Sequence, residues 1–296
     1  MENILQTIGN TPLVKINNIV AKDGVEIYAK IEGTNPGGSI KDRIALKILT
    51  QAEALGELNH DKTIIEASSG NTGIALAMIG SIKGYNVEIV MSDAVSVERR
   101  KMIAAYGAKV TLTPGNEGTD GAIRMVRKLC AEFPDKYFNS DQFRNQNNKI
   151  AHYKTTSEEI WQQTNGKLTH FVSAVGTSGT IMGVGKGLRE NNPNIKIVEA
   201  QPVVGHYIQG LKNMQEAIVP EIYDPSAIDE HIMIDTEAAF AMSREIVKKE
   251  GIFVGMSSGA AMLAAKILTE RLDKAYIVVI FPDRGEKYLS TKLFDF

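Results

Sequence analysis

Residues 25–55 read VEIYAKIEGTNPGGSIKDRIALKILTQAEAL. The β-branched and aromatic run from Val25 to Lys30 predicts a strand, and Ile44, Ile48, Ala52 and Leu55 recur at a spacing that gathers them on one face of a helix over Ile44–Leu55. Between the two lies Gly37-Gly38-Ser39-Ile40-Lys41-Asp42-Arg43, which places Lys41 in the first turn of that helix. The helix dipole favours an acid at this end, so an ammonium there is harder to keep and its pKa falls toward neutrality. A lysine that is partly neutral at pH 7 can attack a carbonyl carbon and form a Schiff base. Most lysines are simply solvated surface residues; this one gains its meaning from the loops that accompany it.

Strand-like and helix-like segments alternate along the rest of the chain. Strands are expected at Thr63–Glu66, Val87–Met91, Val110–Leu112, Phe171–Val175, Ile195–Val198 and Ile277–Ile280. Helices are expected from Thr72, over Val97–Tyr106, Thr119–Phe133 and Thr156–Gln163, from about Thr180, and over Ala260–Leu272. Continuous β-branched runs separated by helices argue for an α/β fold whose parallel sheets are covered on both faces. The stretch from Val203 to Asp235 lacks periodicity and is expected to be mobile or to face a substrate.

Composition excludes several classes. Of 296 residues 43% are hydrophobic, enough for a sizeable core, and the net charge of −2 provides no basic field for nucleic acid. No apolar run approaches the length of a membrane span, and the N-terminus lacks the regions of a signal peptide. A single cysteine, Cys130, makes no internal disulfide; its apolar-periodic surroundings point to helix packing, and the natural location is the cytoplasm. The five histidines show no metal-ligand spacing, so no metal is expected.

Three polar, glycine-containing loops follow strands and open helices, where ligands bind in open α/β sheets. Ser68-Ser69-Gly70-Asn71-Thr72-Gly73 offers hydroxyls, an amide and early helix N–H groups to a carboxylate, although Ser and Asn also serve as plain helix caps. Gly176-Thr177-Ser178-Gly179-Thr180 combines two glycines with three hydroxyls at a helix start and suits a phosphate monoester. Gly255-Met256-Ser257-Ser258-Gly259-Ala260 enters the last helix; Ser257 there is a cap or a hydrogen-bonding group, since no Gly-x-Ser-x-Gly elbow supports a serine nucleophile. A Schiff-base lysine, a phosphate cradle and a carboxylate cradle together suggest pyridoxal phosphate chemistry on an amino acid.

With these loops, Ile8-Gly9-Asn10-Thr11-Pro12-Leu13-Val14, Asn35 to Arg43 and Tyr288-Leu289-Ser290-Thr291 give the chain a resemblance, over nearly its whole length, to the cysteine synthase and cystathionine β-synthase family of fold-type II pyridoxal-phosphate enzymes. The segments Gly210–Glu216, Val219–Pro225 and Asp283–Tyr288 resemble the cysteine synthase B branch. The resemblance implies a fold like that of the tryptophan synthase β-subunit: two open twisted sheets, mostly parallel, flanked by helices. It implies a large cofactor-binding domain of residues 1–43 and 148–296 and a small domain, 44–147, that closes on the substrate.

Carried over residue by residue, the resemblance implies that Lys41 binds pyridoxal 5'-phosphate and acts as the base at the substrate Cα. Asn71 would meet the pyridoxal hydroxyl, Gly176, Thr177, Ser178, Gly179 and Thr180 the phosphate, and Ser257 the pyridine nitrogen. Ser68, Ser69, Asn71, Thr72 and Gln142 would hold the substrate carboxylate; Ser68 stands where the family usually has threonine and keeps the hydroxyl. Some relatives that use O-phosphoserine have arginine at the position of Lys212, and lysine keeps the charge without the bidentate fork. The implied reaction is β-replacement through an aminoacrylate, O-acetylserine and sulfide giving cysteine and acetate, in a cytoplasmic homodimer. Sulfide release from cysteine, O-phosphoserine use and cystathionine synthesis are the alternatives within the same motifs.

Overall fold

The computed structural model describes residues 1–68 and 70–295. The chain opens with β1 (Leu13–Ile16), β2 (Val25–Ile31) and α1 (Lys41–Ala54). There follow β3 (Thr63–Ala67), α2 (Asn71–Lys83), β4 (Asn86–Ser92), α3 (Val97–Ala105), β5 (Lys109–Thr113), α4 (Gly118–Glu132) and β6 (Tyr137–Asn139). These four strands form one parallel sheet in the order β5-β4-β3-β6. Next come α5 (Asn147–Lys154), α6 (Thr156–Gln163), β7 (His170–Ala174), α7 (Gly179–Asn191) and β8 (Lys196–Pro202). The chain finishes with β9 (Glu230–Ile234), α8 (Thr236–Glu250), α9 (Met256–Thr269) and β10 (Ala275–Phe281). The second sheet runs β1-β2-β10-β7-β8-β9, parallel except for the β1–β2 pair. Its central strands are buried on both faces, which is why Ile277–Ile280 and Phe171–Val172 read as unbroken apolar runs.

Both sheets and their helices agree with the sequence expectation, with additions at the margins. The strands β1, β6 and β9 and the helices α5 and α8 had no counterpart in the sequence reading. β1 and β9 are edge strands whose side chains alternate with solvent or face it, so neither shows the continuous run of a buried strand. β9 also shows that the stretch 203–235 is not irregular throughout. α8 carries the terminal signals of a helix, with Asp235 capping the Ala238 N–H at 2.9 Å and Gly251 in the left-handed region at its end. α1 begins at Lys41 itself, three residues earlier than its apolar stripe.

A buried ionic knot fixes that start. The Arg43 guanidinium donates to Glu32 at 2.7 Å and to Glu159 at 2.6 Å, while Lys30 donates to the other Glu159 oxygen at 2.7 Å and to the Thr11 carbonyl at 2.6 Å. The knot ties β2, α1 and α6 to the N-terminal segment. Burial raises the Glu159 carboxyl, but Arg43 and Lys30 outweigh it and hold the pKa at about 2. Glu159→Gln leaves two buried cations short of a partner and should cost roughly 3–5 kcal/mol in urea unfolding. Since the folded pKa lies below the ordinary 4.5, this stabilisation is complete above that value and is lost as pH falls toward about 2. A Glu159→Gln variant as stable as wild type at pH 7 would contradict the assignment.

Candidate active site

The carboxyl ends of β7 and β10 from the six-stranded sheet, and the loops after β3 and β6 of the four-stranded one, meet at a cleft that opens to solvent. Lys41, Ser68, Asn71, Thr72, Gln142, Gly176, Thr177, Ser178, Thr180, Lys212 and Ser257 all line it. Gly179 does not; as the first residue of α7 it abuts Asn148, behind the wall. Ser69 lies outside the described residues.

Lys41 is the first residue of α1. Its pKa is pushed down to about 8 by burial, against the opposing attraction of the Asp283 carboxylate. The loop after β7 is shaped by close approach. A Cβ on Gly176 would lie 2.3 Å from the Gly210 carbonyl oxygen, so the crossing strand of chain excludes any larger residue. Ser178 takes left-handed backbone angles (φ 67°), and its buried hydroxyl has no hydrogen-bond partner among the described residues. The Thr177 hydroxyl accepts from Asn148 at 3.0 Å, and Thr180 lies 3.3 Å from the buried His152 ring. The unpartnered Ser178 hydroxyl beside the N-terminus of a 13-residue helix suits an anion such as a phosphate.

In the loop after β3 the Ser68 hydroxyl accepts from the N–H groups of Gly70 (3.1 Å) and Gly73 (3.0 Å). Gly70 sits at φ 136° with Arg99 where a Cβ would go, which only glycine tolerates. Thr72 donates to the Gln142 amide oxygen at 2.7 Å. Gln142 is in turn held by Glu66, whose buried carboxyl accepts from the Gln142 N–H at 3.1 Å and from Ser140 at 2.5 Å, and whose pKa burial pushes up to about 7. Ser257, in the first turn of α9, presents an uncharged hydroxyl across the cleft.

Sequence reasoning missed the layer behind these groups. Asp283 accepts from the Asn71 amide at 2.7 Å and from Tyr288 at 2.7 Å, with Arg99 at 3.4 Å. Lys287 donates to the Asn71 amide oxygen at 3.1 Å and to the Gly37 and Gly38 carbonyls at 3.1 and 2.9 Å; burial lowers its pKa. The run Asp283–Tyr288 stood out in the sequence as a branch marker, with no signal of this role. Lys212 is on the wall as expected, but its ammonium already donates to Asp120 at 2.8 Å and lies 5.2 Å from the Phe143 ring centre. A buried amine of lowered pKa, a loop suited to a phosphate, a loop suited to a carboxylate and an uncharged hydroxyl in one cleft fit pyridoxal phosphate with an amino acid.

Comparison with known proteins agrees with this fit. Residues 4–283 match the family model described as pyridoxal-phosphate dependent enzyme. The chain is 49% identical to a cysteine synthase of Aquifex aeolicus, over 99% of this chain and 92% of that protein. It is 44% identical to cysteine synthase B of Pseudomonas aeruginosa, over 99% and 97%. The solved structure of a hydrogen sulfide-producing enzyme from Fusobacterium nucleatum superposes with a TM-score of 0.93 at 44% identity, covering 98% of this chain and 100% of that one.

An amine must be neutral to add to an aldehyde. Capture of an aldehyde probe at Lys41 should therefore accelerate as pH rises, with a midpoint near about 8. Asp283→Asn removes the charge that favours the ammonium and should move the midpoint lower. A midpoint of an ordinary solvated lysine, or one unmoved by Asp283→Asn, would contradict this electrostatic account.

Proposed function

Because this chain belongs to the family of pyridoxal-phosphate dependent enzymes, we propose that it catalyses β-replacement of the cysteine synthase type, converting O-acetyl-L-serine and sulfide to L-cysteine and acetate. The observation that carries the reading is the enclosure of the Lys41 amine in one cleft with a loop suited to phosphate and another suited to a carboxylate.

Pyridoxal phosphate supplies the electron sink that makes the substrate Cα proton acidic. The residues supply position and proton movement. Gly176, Thr177, Ser178 and Thr180 hold the phosphate, with the Gly179 N–H at the helix start behind them. Ser257 would meet the ring nitrogen, to which it offers a neutral hydroxyl and no charge. Asn71 binds the ring hydroxyl, its amide held at both ends by Asp283 and Lys287. Ser68, Ser69, Thr72 and Gln142 take the substrate carboxylate; the Thr72 hydroxyl, bonded to Gln142 in this structure, turns to it. Lys41 takes the proton from Cα as the leaving group departs and returns it as sulfide adds.

Residues 44–147, which include the whole four-stranded sheet, form the unit that swings toward the rest when the carboxylate is gripped, excluding water from the reacting atoms. We place the protein in the cytoplasm as a homodimer; its single cysteine suits that compartment, and no described helix is long and apolar enough to cross a membrane. A second reading, sulfide release from cysteine, is favoured by the full-length likeness to the hydrogen sulfide-producing enzyme and would use the same residues.

Product analysis over a matrix of donors and nucleophiles decides between them. O-acetyl-L-serine with sulfide should yield cysteine and acetate in equal amounts, faster than cysteine yields sulfide. Lys41→Ala should lower turnover by at least about 10²-fold. Faster sulfide release from cysteine would establish the second reading, and full activity in Lys41→Ala would end both. X-ray scattering should show contraction when donor is added to the holoenzyme; an unchanged profile would contradict closure.

A further inference from the structure

The segment from Gln209 to Glu221, between β8 and β9, lines the cleft with Gln209–Lys212 and reaches Asp120 of α4. Its path is tied down at both ends. The Lys212 N–H donates to the Val175 carbonyl at 2.9 Å, and Ile218 packs against the core formed by Ile65, Val90 and Ala122. Between these points Asp120 of α4 uses both carboxylate oxygens on the segment: Oδ1 accepts from the Lys212 ammonium at 2.8 Å and Oδ2 from the Ile218 N–H at 3.2 Å. The Lys212 side chain is 9% exposed and that of Asp120 27%. The neighbouring Arg144–Glu221 pair joins the same two parts but is half-exposed on both sides and contributes little.

Lys212 thus puts a cation on the cleft wall whose charge is matched from behind by a carboxylate that cannot easily turn away, because its other oxygen is bound to the backbone. A second anion at Lys212 must either displace Asp120 or sit close to it, and like charges at that range repel. We propose that Asp120 is a specificity-determining residue: by pairing with Lys212 it cancels the charge that would attract an anionic leaving group, and so favours donors whose leaving group is uncharged while bound. This inference rests on the β-replacement reading above. It concerns Asp120 acting through Lys212, and a purely structural latch between the two parts would behave differently.

The test is the first half-reaction of the holoenzyme without sulfide, O-phospho-L-serine against O-acetyl-L-serine, read as the donor-concentration dependence of the change in the cofactor absorbance band. Asp120→Asn keeps an acceptor for the Ile218 N–H and removes the charge; it should raise the preference for O-phospho-L-serine by about tenfold. Lys212→Met should not, and the double variant Asp120→Asn/Lys212→Met should lose the gain. Asp120→Ser, smaller and also uncharged, should act in the same direction. An unchanged ratio in Asp120→Asn, equal weakening of both ligands, or a gain that survives in the double variant would each overturn the proposal. If the wild-type holoenzyme carries its cofactor but neither ligand shifts the band, the β-replacement reading fails and the proposal with it; binding of both without a change of ratio sinks the proposal alone.

Discussion

The cleft depends on one buried carboxylate. Asp283 follows the last strand of the larger sheet and faces Lys41, Lys287 and Arg99, all drawn from water into the same region. Burying cations without a counter-charge is costly enough that they would neutralise or the site would open. Burial pushes the Lys41 pKa down to about 8, and Asp283 opposes that fall, so the amine is partly neutral near physiological pH. The same oxygen that balances the charge also takes the Asn71 amide and the Tyr288 hydroxyl, so electrostatics and orientation are set by a single group.

Geometry reinforces this arrangement. Lys287 and Asp283 grip opposite ends of the Asn71 amide, which leaves its orientation no freedom and connects the loop after β3 with the end of β10. On the other side of the cleft, the Gly176–Gly210 crossing holds the phosphate-type loop under the segment that carries Lys212. That segment is itself secured by the Asn213 amide donating to the Pro202 carbonyl at 2.8 Å and the Met214 N–H donating to Gln201 at 3.0 Å. One side of the cleft is therefore built from helix starts and loops that follow strands, while the wall carrying Lys212 is a loop pinned by polar contacts.

What could be read from the sequence was what is local. Lys41 at a helix start, the hydroxyl-rich turn 176–180 and the apolar runs of β7 and β10 announce themselves within a few residues of chain. Roles created by distant partners do not. Asp283 acquires its meaning from Asn71, 212 positions earlier, and Lys212 from Asp120, 92 positions earlier. Read by itself, Lys212 is either a solvated cation or a reader of anions; the ion pair that matches its charge is invisible until the fold brings α4 to it. Glu66, inside an apolar strand, likewise reads as an oddity until Ser140 and Gln142 arrive above it. The edge strands β1 and β9 were illegible for the complementary reason, since strands with exposed faces lack the apolar run that marks their buried neighbours.

We propose that Lys41, among the buried amines around this cleft, is the one that binds the cofactor. Lys287 is the natural rival, because it too is buried, bonded to Asn71 and lowered in pKa by burial. Borohydride reduction of the holoenzyme followed by peptide mapping distinguishes them in a single measurement. The phosphopyridoxyl mass should fall on the peptide containing Lys41 and on no other. The same mass on the Lys287 peptide, or its absence from the Lys41 peptide in a chain that still carries cofactor, would contradict the proposal.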